Sequence, residues 1–266
     1  MQYKRLRSGK NIESLTAAKL SRVAKEQLHE AVYAQFIETF KISSEYKEAA
    51  DGINSMGYVI LRTGHDLNEY CEAVAGNAKI SPVKTELCGF LSKICENSEK
   101  FIKRKGQNLI CKSPEEKIFV KIDKERFCYS VLNLILNSAE NTPEEGKIRI
   151  SVSKTKRFVK ITVRDNGFGM DEESLIHCFE PFYTKSRPVG KSKMGLGLTL
   201  ARNFVTESGG RMNVSSEEGK GTAVSMLLPL MNSEEINLSV ESPVPDILGG
   251  KFSPVPIVLS ALSEKS

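Results

Sequence analysis

The sequence predicts an α+β chain in which a helical hairpin precedes an α/β sandwich. Residues 14–46 contain neither proline nor glycine, and their apolar side chains recur at the spacing of one helix face. A second apolar seam steps by three and four residues from Ile53 to Val74. Between residues 81 and 230, strands of alternating polarity are mixed with helical segments, an order typical of one helical layer over one sheet.

The two long helices of the first domain, residues 1–80, are expected to need a partner. A hairpin of two helices encloses too little core to stand alone, so the pattern favours a four-helix bundle formed by two chains. A hairpin that lies on the following domain of the same chain is the alternative. Ser81-Pro82 interrupts the helical pattern, and we place the start of the second domain there.

The second domain, residues 81–230, is predicted to contain helices and strands in mixed order. One helix is expected to run from an N-cap at Asp123 to about Asn141, because aspartate precedes a long apolar segment. The other expected helices span 83–105 and 195–209. The expected strands span 107–111, 117–122, 147–154, 157–164, 211–216 and 221–229.

The last segment, residues 231–266, is predicted to be a flexible tail. It lacks periodicity, carries more acidic residues than lysines, and repeats Ser-Pro-Val-Pro at positions 242 and 253. Its end, from Ile257 to Leu262, contains apolar side chains that could pack on the domain, but the sequence does not indicate where.

Composition and charge disfavour several classes of protein. With 40% apolar residues, the chain can fill ordinary cores. The formal charge of +5 comes partly from a basic start at Lys4 to Lys10, which is more typical of a solvated terminus than of a nucleic-acid-binding arm. The six cysteines form no C-x-x-C pair, so zinc and redox motifs are not supported and the cytoplasm is the expected location. No apolar run approaches the roughly 18 residues of a membrane span.

The functional motifs begin with Asp165-Asn166-Gly167-Phe168-Gly169, directly after an alternating strand. The strand delivers a carboxylate to its end, and the two glycines let the backbone approach a flat ligand where a Cβ would collide. On its own, this pentapeptide is also typical of a surface turn. Its meaning depends on Asn133 and Asn137, which share one face of the preceding helix, and on Gly195-Leu196-Gly197-Leu198 further along.

These motifs, together with Phe179-Glu180-Pro181-Phe182 and Gly219-Lys220-Gly221-Thr222, resemble the ATP-binding domain shared by sensor histidine kinases, type II topoisomerases and heat-shock chaperones. The resemblance implies ATP and Mg²⁺ as ligands. It implies that Asp165 accepts the exocyclic amino group of adenine, with support from the hydroxyl of Thr222. It also implies that the amide oxygen of Asn137 joins the ligands of Mg²⁺.

The remaining motif residues are expected to surround the nucleotide. Gly167 and Gly169 would leave room for the ring, and the polar segment 170–193 resembles a lid that folds over the nucleotide. The other nucleotide-contacting residues that the resemblance implies are Asn133, Phe182, Lys185, Gly195, Leu196, Gly197 and Leu198. The N–H groups that open the helix after Gly195 suit a phosphate. Lys193 stands where the family pattern has a further glycine.

One position separates the branches of this family. Hydrolytic members carry a glutamate four residues before the metal-binding asparagine, and here that position is Asn133, which cannot act as a base near neutral pH. Transfer of phosphate to water is therefore disfavoured. The residues that follow Asn137 and surround Phe182 resemble the histidine kinase branch, in which the γ-phosphoryl group passes to a protein side chain.

A histidine kinase needs a phosphoacceptor, and the chain has three histidines. His29 lies in the first long helix and is followed by Glu30, whose carboxylate can accept the imidazole proton as the ring attacks phosphorus. The rival is His65 with Asp66 on the second helix. Residues 31–34 depart from the family pattern, which has a proline there, so the absence of any phosphoacceptor stays open.

The sequence thus predicts an ATP-dependent protein histidine kinase core. It would act as a homodimer, phosphorylate its own histidine and pass the phosphoryl group to the receiver domain of a response regulator. Its sensor is expected to be a separate protein or to have been cut away, and neither nucleic-acid binding nor a membrane span is expected. The alternatives are an ATP-binding dimeric scaffold without kinase activity and an ATPase clamp, which Asn133 disfavours.

Overall fold

The computed structural model describes residues 47–185, 194–238, 247–248 and 253–263. The chain divides into two compact units between Lys79 and Ile80. In the first unit, helix α1 spans Lys47–Val74, whereas the helix predicted over 14–46 lies outside the described residues. None of the described helices is both long enough and apolar enough to cross a membrane.

Helix α1 confirms the second long helix of the first domain, although it begins before Gly52 rather than after it. Four large apolar side chains of its predicted packing seam are exposed. Met56, Ile60, Leu67 and Val74 show 68%, 51%, 42% and 71% of their surface. The described residues thus leave this seam in contact with solvent, and the bundle of two chains stays a prediction.

The second unit begins with a strand that the sequence analysis missed. β1, Val83–Glu86, pairs antiparallel with β3, Phe119–Ile122, and helix α2 follows at Leu87–Arg104. The helix predicted from residue 83 is therefore wrong in its first turn. The reason is local, because the Glu86 carboxylate accepts hydrogen bonds from two N–H groups of the first turn of α2, at 2.8 and 3.0 Å.

The other strands form a five-stranded sheet in the order β2-β4-β5-β7-β6. Their bounds are β2 Asn108–Lys112, β4 Lys147–Lys154, β5 Phe158–Asp165, β6 Arg211–Glu217 and β7 Gly221–Pro229. β2 is parallel to β4, and all other neighbours in this sheet are antiparallel. Each of these strands lies within one residue of its predicted bounds.

Helices cover one face of this sheet. The principal ones are α3, Lys124–Glu140, and α5, Gly197–Glu207, with the short α4 at Glu172–His177. Asp123 caps α3 as predicted, because its carboxylate accepts two hydrogen bonds from N–H groups of the first turn, both at 3.1 Å. Every residue of α3 from Phe127 to Leu136 is buried, as expected for a helix that is covered on nearly all sides.

The core lies between the sheet and these helices. Along β5, Val159, Ile161 and Val163 are buried, whereas Lys160 and Arg164 are exposed. Successive side chains of a strand point to opposite faces, so β5 has one covered face and one open face. A mixed α+β fold with a helical layer on one sheet is therefore confirmed for the second unit.

The end of the C-terminal segment folds against the helical layer. Helix α6 spans Ser233–Leu238, helix α7 spans Pro254–Leu259, and a 3₁₀ turn follows at Ser260–Ser263. α7 contacts α2 and α3. Its buried apolar residues, with one from the turn, are Val255, Ile257, Val258, Leu259 and Leu262. The flexible tail is thus a wrong prediction for α7 and the turn after it, because proline favours a helix start and the apolar side chains cover part of α3.

Candidate nucleotide site

Asp165 is held in one orientation on the covered face of the sheet. It ends β5, and only 6% of its surface is exposed. Its Oδ1 accepts hydrogen bonds from the N–H groups of Gly167 and Thr222, both at 3.0 Å. Its Oδ2 accepts a hydrogen bond from the hydroxyl of Ser138, also at 3.0 Å. These three donors fix the carboxylate, and Oδ2 keeps a lone pair that can accept one further hydrogen bond.

The hydroxyl that supports Asp165 comes from a residue that the sequence analysis did not single out. Thr222 contributes its backbone N–H, while its hydroxyl lies 2.8 Å from the hydroxyl of Ser216. The predicted support by the Thr222 hydroxyl is therefore corrected, since Ser138 provides it. The position of Ser138, directly after Asn137 on a helix that packs on β5, is the signal that could have identified it.

Gly167 and Gly169 are required by the chain itself. A Cβ on Gly167 would clash with the carbonyl oxygen of Asn141 at the end of α3. Gly169 has a φ of +70°, and its Cβ would clash with the carbonyl oxygen of Glu217. The segment thus runs between the end of α3 and the turn from β6 to β7. These backbone contacts give both glycines a structural reason, in addition to the expected approach of a ligand.

Asn133 and Asn137 lie on α3 in different surroundings. Asn133 is 2% exposed, and a Cβ on Gly197 would lie 3.3 to 3.4 Å from its side chain. The start of α5 therefore packs closely on Asn133. Asn137 is half-buried, and its side chain makes no hydrogen bond to any described residue. The Asn137 amide oxygen is consequently available for a ligand, one residue before the Ser138 that contacts Asp165.

The glycine motif before α5 joins the aromatic segment. Gly195 has a φ of +69°, and its Cβ would clash with the backbone of Phe182 and Tyr183. The N–H of Phe182 donates a hydrogen bond to the carbonyl oxygen of Gly195 at 3.0 Å. Phe182 itself has a φ of +65° and is 44% exposed. Leu196 is almost fully buried and precedes α5 without a side-chain cap, so N–H groups of the first turn remain available.

The aromatic residues before the predicted lid are anchored to the domain. The hydroxyl of Thr199 on α5 donates to the carbonyl oxygen of Phe179 at 3.1 Å. The guanidinium of Arg202 lies 5.4 Å from the centre of the Phe179 ring. The ring of Tyr183 lies 5.5 Å from that of His177 on α4. These contacts form a fixed base at residues 179–183, while residues 186–193 of the predicted lid lie outside the described residues.

Lys185 is the last described residue of the predicted lid, and it is exposed. Its ammonium group forms an ion pair with the carboxylate of Asp171. The hydrogen bond from Lys185, followed by one from Ser174, holds the pKa of Asp171 well below its usual range. The same contact raises the pKa of Lys185. Lys185 thus carries a positive charge at neutral pH and is held beside α4.

The geometry agrees with a known protein family. Residues 92–232 match the model described as histidine kinase-, DNA gyrase B- and HSP90-like ATPase, a match that covers more than half of the chain. The chain belongs to this ATPase family. The matched region contains Asp165, Asn133, Asn137 and both glycine motifs.

Relatives of the ATPase domain are sensor and sporulation kinases. The sensor histidine kinase YvrG of Bacillus subtilis is 26% identical over 196 residues, which cover 70% of this chain and 33% of YvrG. Sporulation kinase D of the same organism is 35% identical over 119 residues, which cover 45% of this chain and 23% of that kinase. The chain therefore spans about a third or less of the length of these relatives. They identify a histidine-kinase type of ATP-binding catalytic core.

A solved structure shares the fold. The crystal structure of full-length ShkA in complex with AMPPNP superposes with a TM-score of 0.67 at 21% identity. The likeness covers 86% of this chain and 47% of ShkA. At this identity the comparison shows a common fold.

The phosphoacceptor candidates lie outside the ATPase domain. His29 and Glu30 fall outside the described residues. His65 lies half-buried on α1, beside Asp66. Asp66 is 4% exposed and lies 3.5 Å from the guanidinium of Arg62. Burial raises the pKa of Asp66 to about 6, although Arg62 opposes this shift. Asp66 thus forms an ion pair with Arg62.

Proposed function

We propose that this chain is the catalytic core of an ATP-dependent protein histidine kinase in a two-component signalling system. The observation that carries the proposal is the carboxylate of Asp165, buried and oriented by three donors with one lone pair left on Oδ2. A rigid acceptor of this kind suits the exocyclic amino group of adenine. The family and its kinase relatives support this assignment.

The residues around Asp165 would hold the rest of the nucleotide. Asn137 offers an amide oxygen that has no partner among the described residues, which fits Mg²⁺, a hard cation that takes oxygen ligands. When bound with ATP, Mg²⁺ would neutralise charge on the phosphates. The first-turn N–H groups of α5, together with Gly195 and Leu198, would lie along the phosphates, and Phe182 and Lys185 would close over them.

Asn133 favours transfer to a side chain over hydrolysis. An amide cannot remove a proton from water near neutral pH, and Asn133 is 2% exposed and packed against Gly197. We assign it a supporting role in the nucleotide site. The chemistry would then consist of positioning and charge neutralisation, with an imidazole as the attacking group.

The acceptor that we propose is His29, with Glu30 accepting the proton of the ring. The kinase would work as a cytoplasmic homodimer formed by residues 1–80. The phosphoryl group would pass to the receiver domain of a response regulator. The departure from the family pattern at residues 31–34 supports one alternative, an ATP-binding dimeric scaffold without kinase activity.

Incubation with [γ-³²P]ATP and Mg²⁺ tests this proposal. The wild-type chain should gain an acid-labile, base-stable label, and His29→Ala should lose it while His65→Ala keeps it. Label that persists in His29→Ala and disappears in His65→Ala would move the acceptor to α1. If the wild type binds ATP but gains no label, the kinase assignment is wrong and the scaffold is the better account.

A further inference from the structure

The open face of the five-stranded sheet carries side chains that take no part in the candidate nucleotide site. Asp165 and Thr222 point to the covered face, where Ser138 of α3 contacts Asp165. The residues directly before and after these positions in each strand point the other way, so their side chains lie on the open face. On β5 these include Lys160, Thr162 and Arg164. The strand register extends this face across all five strands.

Six exposed basic side chains lie on the open face. They are Lys112 on β2, Lys147 and Arg149 on β4, Lys160 and Arg164 on β5, and Arg211 on β6. None of the six forms an ion pair or a side-chain hydrogen bond with any described residue. The one carboxylate that the strands place on this face, Glu217 at the end of β6, is paired with Lys220. The face thus carries a formal excess of five positive charges, equal to the +5 of the whole chain.

Several basic residues elsewhere in the domain have acidic partners. The ion pairs outside the open face include Arg126 with Glu207, Lys154 with Glu116 and Lys103 with Glu99. Lys93 and Lys121, on α2 and β3, also form no ion pair with a described residue, so the open face is distinguished by the number of such basic side chains that it brings together.

Arg149 and Arg164 show that this arrangement is unfavourable for the isolated domain. They are direct partners in the register of β4 and β5. Like charges directly opposite each other on neighbouring strands destabilise a sheet. Their next neighbours in the same row are Ile110 on β2 and Ala223 on β7, and neither is anionic. An external anion would remove this repulsion.

The shape of the open face favours a planar polyanion. Across the sheet, Lys112 and Arg211 are separated by four strand spacings, or about 19 Å. The middle of the face consists of small hydroxyl side chains, and the hydroxyls of Thr162 and Ser225 lie 3.0 Å apart. Single-stranded nucleic acid needs several aromatic side chains for stacking, and Phe158 is the one aromatic residue that the five strands place here. A duplex would need an element that enters its groove.

From these observations we propose that the open sheet face, defined by its six unpaired basic side chains, docks on the surface of an anionic lipid bilayer. Dispersed lysine and arginine side chains are what a surface of anionic headgroups attracts. Docking in this way leaves the nucleotide site free, because Asp165 faces the other side of the sheet. The inference does not depend on the kinase assignment.

Vesicle sedimentation of the full chain tests the proposal. The protein should sediment with vesicles of phosphatidylcholine containing 30% phosphatidylglycerol, and not with phosphatidylcholine alone. Raising the salt from 50 to 300 mM should release it, because screening weakens exposed charges. Each basic residue near such a surface strengthens binding about fivefold. Arg149→Glu with Arg164→Glu should therefore lower the partition coefficient at least about 25-fold.

The matched control is Lys93→Glu with Lys121→Glu, which makes the same change of charge on α2 and β3 and should bind nearly as the wild type does. If the arginine variant does not fold, Lys147→Gln with Lys160→Gln provides a milder loss of charge, with an expected decrease of about 25-fold. Equal loss in the control pair, or equal binding to neutral vesicles, would overturn the proposal. The proposal would also be overturned if the protein bound a DNA duplex or an RNA strand but did not sediment with anionic vesicles.

Discussion

The two ends of the candidate site are built in different ways. At the Asp165 end, two of the three donors are backbone N–H groups, and the third is a hydroxyl on the buried helix α3. At the Lys185 end, an exposed ammonium group is held by a single carboxylate, that of Asp171. The first arrangement is fixed by the packing of the domain, whereas the second can exchange partners at little cost.

This difference indicates how the site could combine selectivity with turnover. A fixed acceptor recognises one pattern of donors without rearrangement, which limits the entropy lost on binding. In the function that we propose, an exchangeable ion pair would let Lys185 move from Asp171 to a phosphate and back. We therefore expect substitutions that disturb the acceptor at the Asp165 end to weaken binding of the whole nucleotide, and substitutions at the Lys185 end to act on the phosphates alone.

The largest effect on stability is expected for Gly167→Ala. Its Cβ would clash with a backbone carbonyl oxygen at the end of α3, which no side-chain rotation can relieve. We expect a loss of about 3 kcal/mol or more in the free energy of unfolding, measured in urea. Gly64→Ala on α1 is the control, since nothing lies within 4 Å of its Cβ, and it should gain up to about 1 kcal/mol. Similar losses in both variants would contradict the crowding at Gly167.

A smaller effect is expected on the affinity for ATP, where Ser138→Ala should weaken binding more than Thr222→Val does. Ser138→Ala removes one donor to Asp165 while the two backbone donors still orient the carboxylate, so we expect only about 1 kcal/mol of lost binding free energy, or about a fivefold weaker affinity for ATP. Thr222→Val keeps the backbone N–H that contacts Asp165, so its affinity should change less than about twofold. Calorimetric titration measures both. The reverse order would restore the original assignment of the supporting hydroxyl to Thr222.

The smallest effect is expected at the other end, for Asp171→Asn. The substitution releases Lys185 from its ion pair, and exposed ion pairs are worth at most about 1 kcal/mol. ATP should bind up to about fivefold more tightly, while adenosine, which lacks phosphates, should bind as before. A gain for adenosine as well would show that Asp171 acts on the whole site instead of on Lys185.

The fold of the second unit could be predicted largely because its strands alternate cleanly. Lys160 and Arg164 alternate with Ile161 and Val163 along β5, and this pattern fixes both the strand and its covered face. Val83–Glu86 could not be recognised in this way, because a four-residue strand before a helix carries too little periodicity. Helix α7 could not be predicted in this way, because its apolar residues lie close together in a segment that contains proline. Their position depends on contacts with α2 and α3, which the sequence does not show.

Within the site, the sequence indicated the residues but not their contacts. Asp165, Asn133 and Gly197 were recognised as motif residues, and the structure brings Gly197 against Asn133. The role of Ser138 depends on the rotation of α3 relative to β5, which follows from packing and not from the spacing of motifs. The crowding at Gly167 likewise involves Asn141, a residue 26 positions earlier in the chain.

Titration of Asp165→Asn with Mg·ATP measures how much the buried carboxylate contributes to nucleotide binding. The substitution should preserve the fold, because the amide oxygen can still accept from Gly167 and Thr222 and the amide nitrogen can donate to Ser138. It removes the anionic acceptor, and a hydrogen bond to a charged group is worth about 2 kcal/mol. We predict an affinity at least about 30-fold weaker, with unchanged unfolding in urea, whereas Asp171→Asn should show no loss. Equal affinities of Asp165→Asn and wild type would contradict it.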